Sequence, residues 1–137
     1  MQGQLVQLSF DKIMQTRAYT VVILNSGEKR FAIYTDPTIG KTIQMHLTGV
    51  EKPRPLTHDL IDSILIGFKV RIKQVVINDI QDTIYFARIF LEKEEDGIRH
   101  ILEIDARPSD CITLALMKNV PVYCTAEVLK KTIAIDD

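Results

Sequence analysis

The segment from Lys69 to Leu91 constrains the fold most strongly, because its apolar residues recur at every second position. A period of two is typical of a β-strand with one buried face, and the Val, Ile, Tyr and Phe residues found here favour strands. Turn-forming residues from Asn78 to Asp82 interrupt the pattern, so the segment predicts a β-hairpin. The alternation resumes from Ile98 to Asp105, after an acidic loop from Glu92 to Gly97, which predicts a third antiparallel strand.

Helix signals interrupt the strands at four places. Each begins with a capping residue or a proline, and in the first two the apolar residues recur every three or four positions. The predicted helices run from Asp36-Pro37 to Thr48, from a Thr57 cap to Gly67, from Pro108 through Met117, and onward from a Thr125 cap. We expect the apolar face of the second helix to pack inward and the third, which is apolar on nearly every side, to be the core helix.

The remaining apolar stretches complete a sheet. Short strands are predicted at Leu5 to Phe10, Tyr19 to Leu24, Phe31 to Tyr34 and Val120 to Cys124. Consecutive hairpins with helices between them indicate an α+β fold, namely a mostly antiparallel sheet of hairpins with three to four packed helices. With 137 residues, the chain is expected to form a single domain over residues 1–137.

Composition narrows the classes of function. The sequence is 46% hydrophobic and 26% charged, which excludes intrinsic disorder, and its formal net charge of −1 gives no general basic field, so any contact with nucleic acid must be local. No apolar run approaches the length of a membrane span, and the first residues carry no basic and apolar leader, so we expect a cytoplasmic protein without a membrane partner. Cys111 and Cys124 are expected to be reduced and buried.

Three segments carry a family resemblance. They are Glu51 to Leu60, Val75 to Asp79 with Thr83 to Ala87, and Glu103 to Asp110 followed by Val120 to Tyr123 and Glu127 to Leu129. Asp105-Ala-Arg-Pro-Ser-Asp110 is the most specific motif, and Arg54-Pro-Leu-Thr-His-Asp59 is next. Together the segments resemble the bifunctional nuclease domain family over about residues 5 to 131. The resemblance implies hydrolysis of phosphodiester bonds in DNA and RNA with little sequence specificity, and a homo-oligomer, with a trimer favoured over a dimer.

The carboxylates around the most specific motif suggest metal chemistry. Glu103 and Asp105 are two positions apart on a predicted strand and share a face, while Asp110 lies in the first turn of the next helix. Converging carboxylates would bind Mg²⁺ or Mn²⁺, with Asp105 and Asp110 acting in catalysis and Arg107 holding a phosphate oxygen. Alternatively, Asp110 stabilises the helix start, and Arg107 pairs with Asp105 or Asp110 to fix the corner.

The proline-stiffened loop offers a second arrangement. His58 and Asp59 follow Arg54 closely, and a histidine exchanges protons near neutral pH, so cleavage without a metal could use His58 and Asp59 with Arg54 on the substrate. The structural alternative is that Thr57, His58 and Asp59 form a polar first helical turn.

A basic stripe is the third candidate feature. Lys69, Arg71 and Lys73 alternate along one predicted strand and could follow a nucleic-acid backbone, although a solvated or protected sheet edge explains the same alternation. On the adjoining strand, Tyr85 and Phe86 point to opposite faces, so one of them could stack on a base if it is not part of the core.

Three classes of function remain open from these residues. The first is a nuclease acting on DNA or RNA. The second is a non-catalytic oligomeric module whose charged motifs form a structural or subunit-contact network. The third is an anion or small-ligand sensor that uses Arg54 and Arg107 at a helix start. Exposed carboxylates in a cleft beside basic groups would favour catalysis, whereas buried and mutually hydrogen-bonded carboxylates would favour a structural network.

Overall fold

A seven-stranded sheet runs through residues 3–136, the part of the chain that the computed structural model describes. The elements follow in the order β1 (Leu5–Gln15), β2 (Thr20–Asn25), β3 (Arg30–Thr35), α1 (Pro37–Thr48), α2 (Thr57–Gly67), β4 (Arg71–Gln81), β5 (Ile84–Glu95), β6 (Ile98–Ala106), α3 (Pro108–Lys118), β7 (Val122–Thr125) and α4 (Ala126–Lys131). The predicted α+β class is confirmed. Within these residues, the helices are too short or too polar to cross a bilayer.

The sheet is mostly antiparallel, with the order β3-β2-β1-β7-β4-β5-β6. The long strand β1 joins its two halves: Leu5 to Leu8 pair with β7, and Ser9 to Gln15 pair with β2, with a register shift at Asp11. β7 pairs in parallel with β4, so the last strand of the chain is inserted at the centre of the sheet.

The core lies between the sheet, α1 and α3. Alternate strand residues such as Val22, Leu24, Val75 and Ile77 are buried in one apolar cluster, which also contains Ile112 of α3. α3 is therefore the core helix, as the sequence predicted.

α1 packs closely on β1 and β2 through a glycine. A Cβ on Gly40 would collide with the Gln15 amide and the Thr20 hydroxyl, which hydrogen-bond to each other. Gln15 also donates to the Pro37 carbonyl oxygen at 2.9 Å. The start of α1 is thus fixed against the sheet.

The predicted packing of α2 is only partly right. Ile61 and Leu65 are partly buried against the core, but Leu60 and Ile64 are exposed. Because α2 packs on α3 at one side, part of its apolar surface lies open beside β6.

Both predicted hairpin loops are shorter than expected. β4 continues through Asn78, where a register shift absorbs the extra residue, and the turn is Asp82-Thr83 with Asp82 at a positive φ of 58°. β5 likewise continues through Glu92 to Glu95, and Asp96-Gly97 makes the turn with both φ angles positive. Several polar residues that the sequence assigned to loops, among them Asp79, Glu92 and Glu94, are therefore paired strand residues.

Candidate functional site

The starts of α2 and α3 meet through a histidine and a carboxylate. His58 Nε2 lies 2.9 Å from Asp110 Oδ1, although the two residues are 52 positions apart in the sequence. The His58 side chain is buried, whereas 29% of the Asp110 side chain is exposed. The contact therefore joins two motifs that sequence reasoning had treated separately.

Arg107 is the second partner of Asp110. Its Nε donates to Asp110 Oδ2 at 3.0 Å, and its Nη2 donates to Asp110 Oδ1 at 3.3 Å. Its Nη1 lies 3.9 Å from Asp36 Oδ2, so Arg107 links α3 to the start of α1. We call His58, Arg107, Asp110 and Asp36 the helix-start cluster, because each lies at or next to the N-terminus of α1, α2 or α3.

The helix-start cluster keeps Asp110 ionised. Burial raises the pKa of Asp110, but the hydrogen bonds from Arg107 and His58 outweigh this effect and hold the pKa below its usual range. The same hydrogen bond to Asp110 raises the pKa of Arg107 further. Because an ionised carboxylate only accepts hydrogen bonds, the Nε2 atom of His58 must carry the hydrogen.

Local sequence explains how each member is positioned. Arg107 is the N-cap residue of α3 in extended conformation, and Pro108 occupies the first helical position. Asp36 caps α1 by accepting from the Ile39 backbone N–H at 3.1 Å, which leaves its other oxygen facing Arg107. Helix-start signals therefore bring charged side chains to one place.

A groove runs past the cluster on both sides of Arg107 and Asp36. One half has a volume of about 590 Å³ and is lined by His58, Asp110 and Lys41, among others; we call it the histidine half. The other half, about 620 Å³, is lined by Tyr34, Tyr85, Thr83 and Ser109, among others; we call it the tyrosine half. Asp36 and Arg107 line both halves, so the two halves adjoin at this pair of residues.

Asp59 lies next to the cluster and is engaged at both oxygens. Its Oδ1 accepts from Lys52 Nζ and its Oδ2 accepts from the Leu56 backbone N–H, each at 2.7 Å. The Lys52 hydrogen bond is the largest cause of a lowered pKa for Asp59. The predicted cap at Thr57 is wrong by one residue: Leu56 is the N-cap, and Asp59 supplies the capping oxygen from within the helix.

Glu103 and Asp105 share a face of β6, as predicted, but their partner is Arg88. Arg88 Nε donates to Glu103 Oε1 at 3.1 Å, and its Nη1 lies 3.9 Å from Asp105 Oδ1. Asp110 is instead bound by His58 and Arg107. Within residues 3–136, no group of three His, Cys, Asp or Glu side chains is arranged to hold a metal ion. The side chains as placed therefore do not fit the predicted set of Glu103, Asp105 and Asp110.

The predicted basic stripe lies only partly on one strand. Lys69 precedes β4 at a positive φ of 59°. Arg71 and Lys73 are exposed on β4, where Arg71 pairs with Glu92 and Lys73 lies at a register shift. Arg71 faces Glu92 of β5, while Ala106, which precedes Arg107, faces Ala87, a separation of about 17 Å at about 3.4 Å per residue. The three basic residues therefore lie well away from the helix-start cluster.

Other predicted residues have simpler surroundings. Arg54 is exposed in the loop before α2.

Cys111 and Cys124 are both buried. Burial raises the pKa of the Cys111 thiol to about 12 and that of the Cys124 thiol to about 11, which disfavours reactive thiolates.

Sequence reasoning missed Asp36, Lys41 and Tyr34 as members of the site. The sequence identified Asp36 only as the N-cap of α1. It gave no indication that the second carboxylate oxygen of Asp36 would face Arg107. Tyr34 and Lys41 lie on β3 and α1, where single exposed residues carry no pattern of their own. Their place in the groove depends on the packing of α1 and α3.

Comparison with known proteins agrees with the motifs. A family model described as the bifunctional nuclease domain matches residues 21–136, which include the whole helix-start cluster. Two relatives from Mycobacterium tuberculosis, the uncharacterized proteins Rv1829 of strain H37Rv and MT1877 of strain CDC 1551, are each 30% identical over 120 residues, covering 86% of this chain and 69% of theirs. The chain therefore belongs to the bifunctional nuclease domain family.

Proposed function

We propose that this chain is a cytoplasmic nuclease that hydrolyses phosphodiester bonds of DNA and RNA with little sequence specificity. The observation that carries the proposal is the contact between His58 Nε2 and Asp110 Oδ1 beside the groove, with Arg107 bound to the same carboxylate. Membership of the bifunctional nuclease domain family supports nuclease-like chemistry in general.

His58 is the proposed proton-transfer group. Its Nε2–H is directed to the ionised Asp110, so Nδ1 is the nitrogen that exchanges a proton with water or with the leaving oxygen. Asp110 is a positioning residue in this scheme, because it fixes the ring and stabilises the imidazolium that forms.

Arg107 is the proposed phosphate-binding group. Its Nε and Nη2 are engaged by Asp110, while 63% of its side chain is exposed beside the groove. Lys41 adds a positive charge in the histidine half. Cations that contact phosphate oxygens carry no base-specific information, which is consistent with low sequence specificity.

The proposed proton transfer by His58 uses no metal ion. Because Glu103 and Asp105 pair with Arg88 instead of meeting Asp110, the proposed mechanism has no step that needs Mg²⁺ or Mn²⁺. Asp105 is held by Arg88, and Asp59 by Lys52 and the Leu56 N–H, so the proposed mechanism gives neither carboxylate a catalytic step. Arg54 is proposed to contact the substrate backbone outside the groove.

The test is cleavage of labelled single- and double-stranded DNA and RNA by purified protein, in Mg²⁺, in Mn²⁺ and in EDTA. We expect His58→Gln and Asp110→Asn to lower the rate by about 10²- to 10⁴-fold, the contribution typical of acid–base catalysis. Asp62→Asn is the matched control, because Asp62 forms an ion pair with Lys118 at 3.0 Å and so links the same two helices away from the groove.

The outcomes separate the alternatives. Cleavage that persists in EDTA and requires His58 supports the proposed mechanism, whereas cleavage that requires a metal and Asp105 restores the predicted carboxylate site. Equal cleavage by every variant shows that the activity belongs to a contaminant or to another site.

A non-catalytic oligomeric module is the second candidate function. Asp110 is hydrogen-bonded on two sides, as a structural network requires. The apolar residues Ile64 of α2, Phe68 just after α2 and Leu102 of the neighbouring β6 are exposed. We call these three residues the α2–β6 face and propose that it joins copies of this chain. The trimer that the family resemblance implies is the favoured assembly, and a dimer is the alternative.

A further inference from the structure

Two tyrosines line the tyrosine half of the groove, and each is held by another aromatic ring. Tyr85 stacks on Phe31 with ring centroids 6.1 Å apart and an interplanar angle of 21°, and Phe31 is fully buried. Tyr34 is 64% exposed and forms an edge-to-face contact with Tyr19, with ring centroids 5.3 Å apart. The rings are therefore positioned before any ligand arrives, and the Tyr34 ring is still accessible.

The charges around the tyrosine half balance. Asp36 and Arg107 are the charged residues of its described lining, and they face each other at 3.9 Å. The remaining polar lining consists of uncharged groups, including Thr35, Thr83 and Ser109. This half therefore suits an uncharged planar group with hydrogen-bonding edges better than it suits a phosphate.

We propose that Tyr34 and Tyr85 form a stacking site for an unpaired nucleobase next to the phosphate bound at Arg107, so that single-stranded nucleic acid is the preferred substrate. The proposal rests on the nuclease function proposed above. A nucleotide whose phosphate contacts Arg107 places its base within reach of the adjoining half, because Arg107 lines both halves. A base inside a duplex is already stacked and paired, and it must be extruded before it can enter such a site.

The test is fluorescence-anisotropy binding at low salt, with labelled DNA and RNA strands of about 12 nucleotides and a duplex of the same sequence. We expect wild type to bind the single strands more tightly than the duplex. Tyr34→Ala should weaken single-strand binding by about 5- to 100-fold and leave duplex binding almost unchanged, whereas Tyr34→Phe, which keeps the ring, should bind like wild type.

Met14→Ala is the matched control, because Met14 is an exposed apolar residue of β1 in the same half of the sheet and does not line the groove. Thermal unfolding monitored by circular dichroism verifies that each variant is folded. Cleavage rates on the same substrates are measured in parallel.

The results distinguish failure of this proposal from failure of the nuclease function. Cleavage with equal binding of single strands and duplex, or with no loss in Tyr34→Ala, overturns the stacking site and leaves the nuclease function standing. If wild type neither binds nor cleaves any of the nucleic acids, both proposals are overturned.

Discussion

Asp110 illustrates how opposing effects at one residue decide the character of the site. Partial burial alone would favour its neutral form, yet Arg107 and His58 both donate to its carboxylate and favour the ionised form. Charge-assisted hydrogen bonds are stronger than neutral ones, which is why the three from Arg107 and His58 outweigh the desolvation of a partly exposed group. The same ionised state serves a structural role and the positioning role proposed for catalysis.

Replacing Asp110 by Asn should therefore change how stability depends on pH. The folded pKa of Asp110 lies below its ordinary value, so its stabilisation is fully present above about pH 4 and is lost as the pH falls through the folded pKa. We expect Asp110→Asn to lower the free energy of unfolding by about 1–3 kcal/mol at pH 7, and this difference from wild type should shrink towards pH 2. Urea unfolding at a series of pH values measures the difference.

Glu28→Gln provides the control for the Asp110 series, because Glu28 is exposed in the turn between β2 and β3. Its unfolding curves should follow those of wild type at each pH. A loss in Asp110→Asn that is the same at pH 7 and at pH 2 would show that the ionised carboxylate is not the stabilising species.

At the scale of helices and strands, the sequence predicted correctly those features that depend on residues close together in the chain. The Asp36-Pro37 start of α1 was predicted correctly, because a cap is formed by residues that are neighbours in the chain. The turn at Asp82-Thr83 was misplaced, because the register shift that keeps Asn78 in β4 depends on pairing with β5. Sequence patterns reveal alternation but not the partner strand, so they do not locate such a bulge.

The candidate site shows even more clearly that sequence patterns do not reveal which elements pair or pack together. Strand geometry was enough to predict that Glu103 and Asp105 share a face. Their ion pairs with Arg88 depend on the pairing of β5 with β6, which the sequence does not reveal. The contact between His58 and Asp110 required the packing of α2 on α3, and no spacing rule relates residues 52 positions apart. The motifs therefore identified three of the four members of the cluster, His58, Arg107 and Asp110, but did not predict that all three meet.

The close approach of α1 to the sheet gives a prediction at this scale. In Gly40→Ala, the new methyl group must displace Gln15 or Thr20, which should disrupt their hydrogen bond and that from Gln15 to Pro37. We expect a loss of about 1–3 kcal/mol in the free energy of unfolding, despite the higher helix propensity of alanine. Gly67→Ala, at the open end of α2, tests propensity without a clash and should be neutral or stabilising, and urea denaturation compares the two variants. Equal effects in both variants would contradict the close-packing argument.

On the scale of the whole molecule, one chain alone does not cover all of its apolar surface. α1 and α3 cover the core, but the described part of the molecule leaves the α2–β6 face open, and 68% of Phe68 is exposed. The groove between these elements is lined mainly by apolar side chains, including Ile64, Leu65 and Leu102. Extended apolar patches of this kind mark interaction surfaces in soluble proteins. The helix-start cluster and the α2–β6 face both involve α2, so association would also fix the helix that carries His58.

A charge on the α2–β6 face should therefore dissociate the proposed homo-oligomer. In Phe68→Asp, association would bury a carboxylate that has no partner, and the desolvation cost disfavours assembly while leaving the exposed monomer surface unstrained. Light scattering during size-exclusion chromatography should give a trimer for wild type and a monomer for Phe68→Asp. Ile133→Asp is the matched control, because Ile133 is 83% exposed and does not line the groove beside α2. The mass of this variant should therefore equal that of wild type.

A wild-type monomer, or an unchanged mass in Phe68→Asp, would show that this face does not join copies of the chain. Cleavage by the monomeric variant would then reveal whether the helix-start cluster works without assembly, because every residue assigned to it lies on one chain.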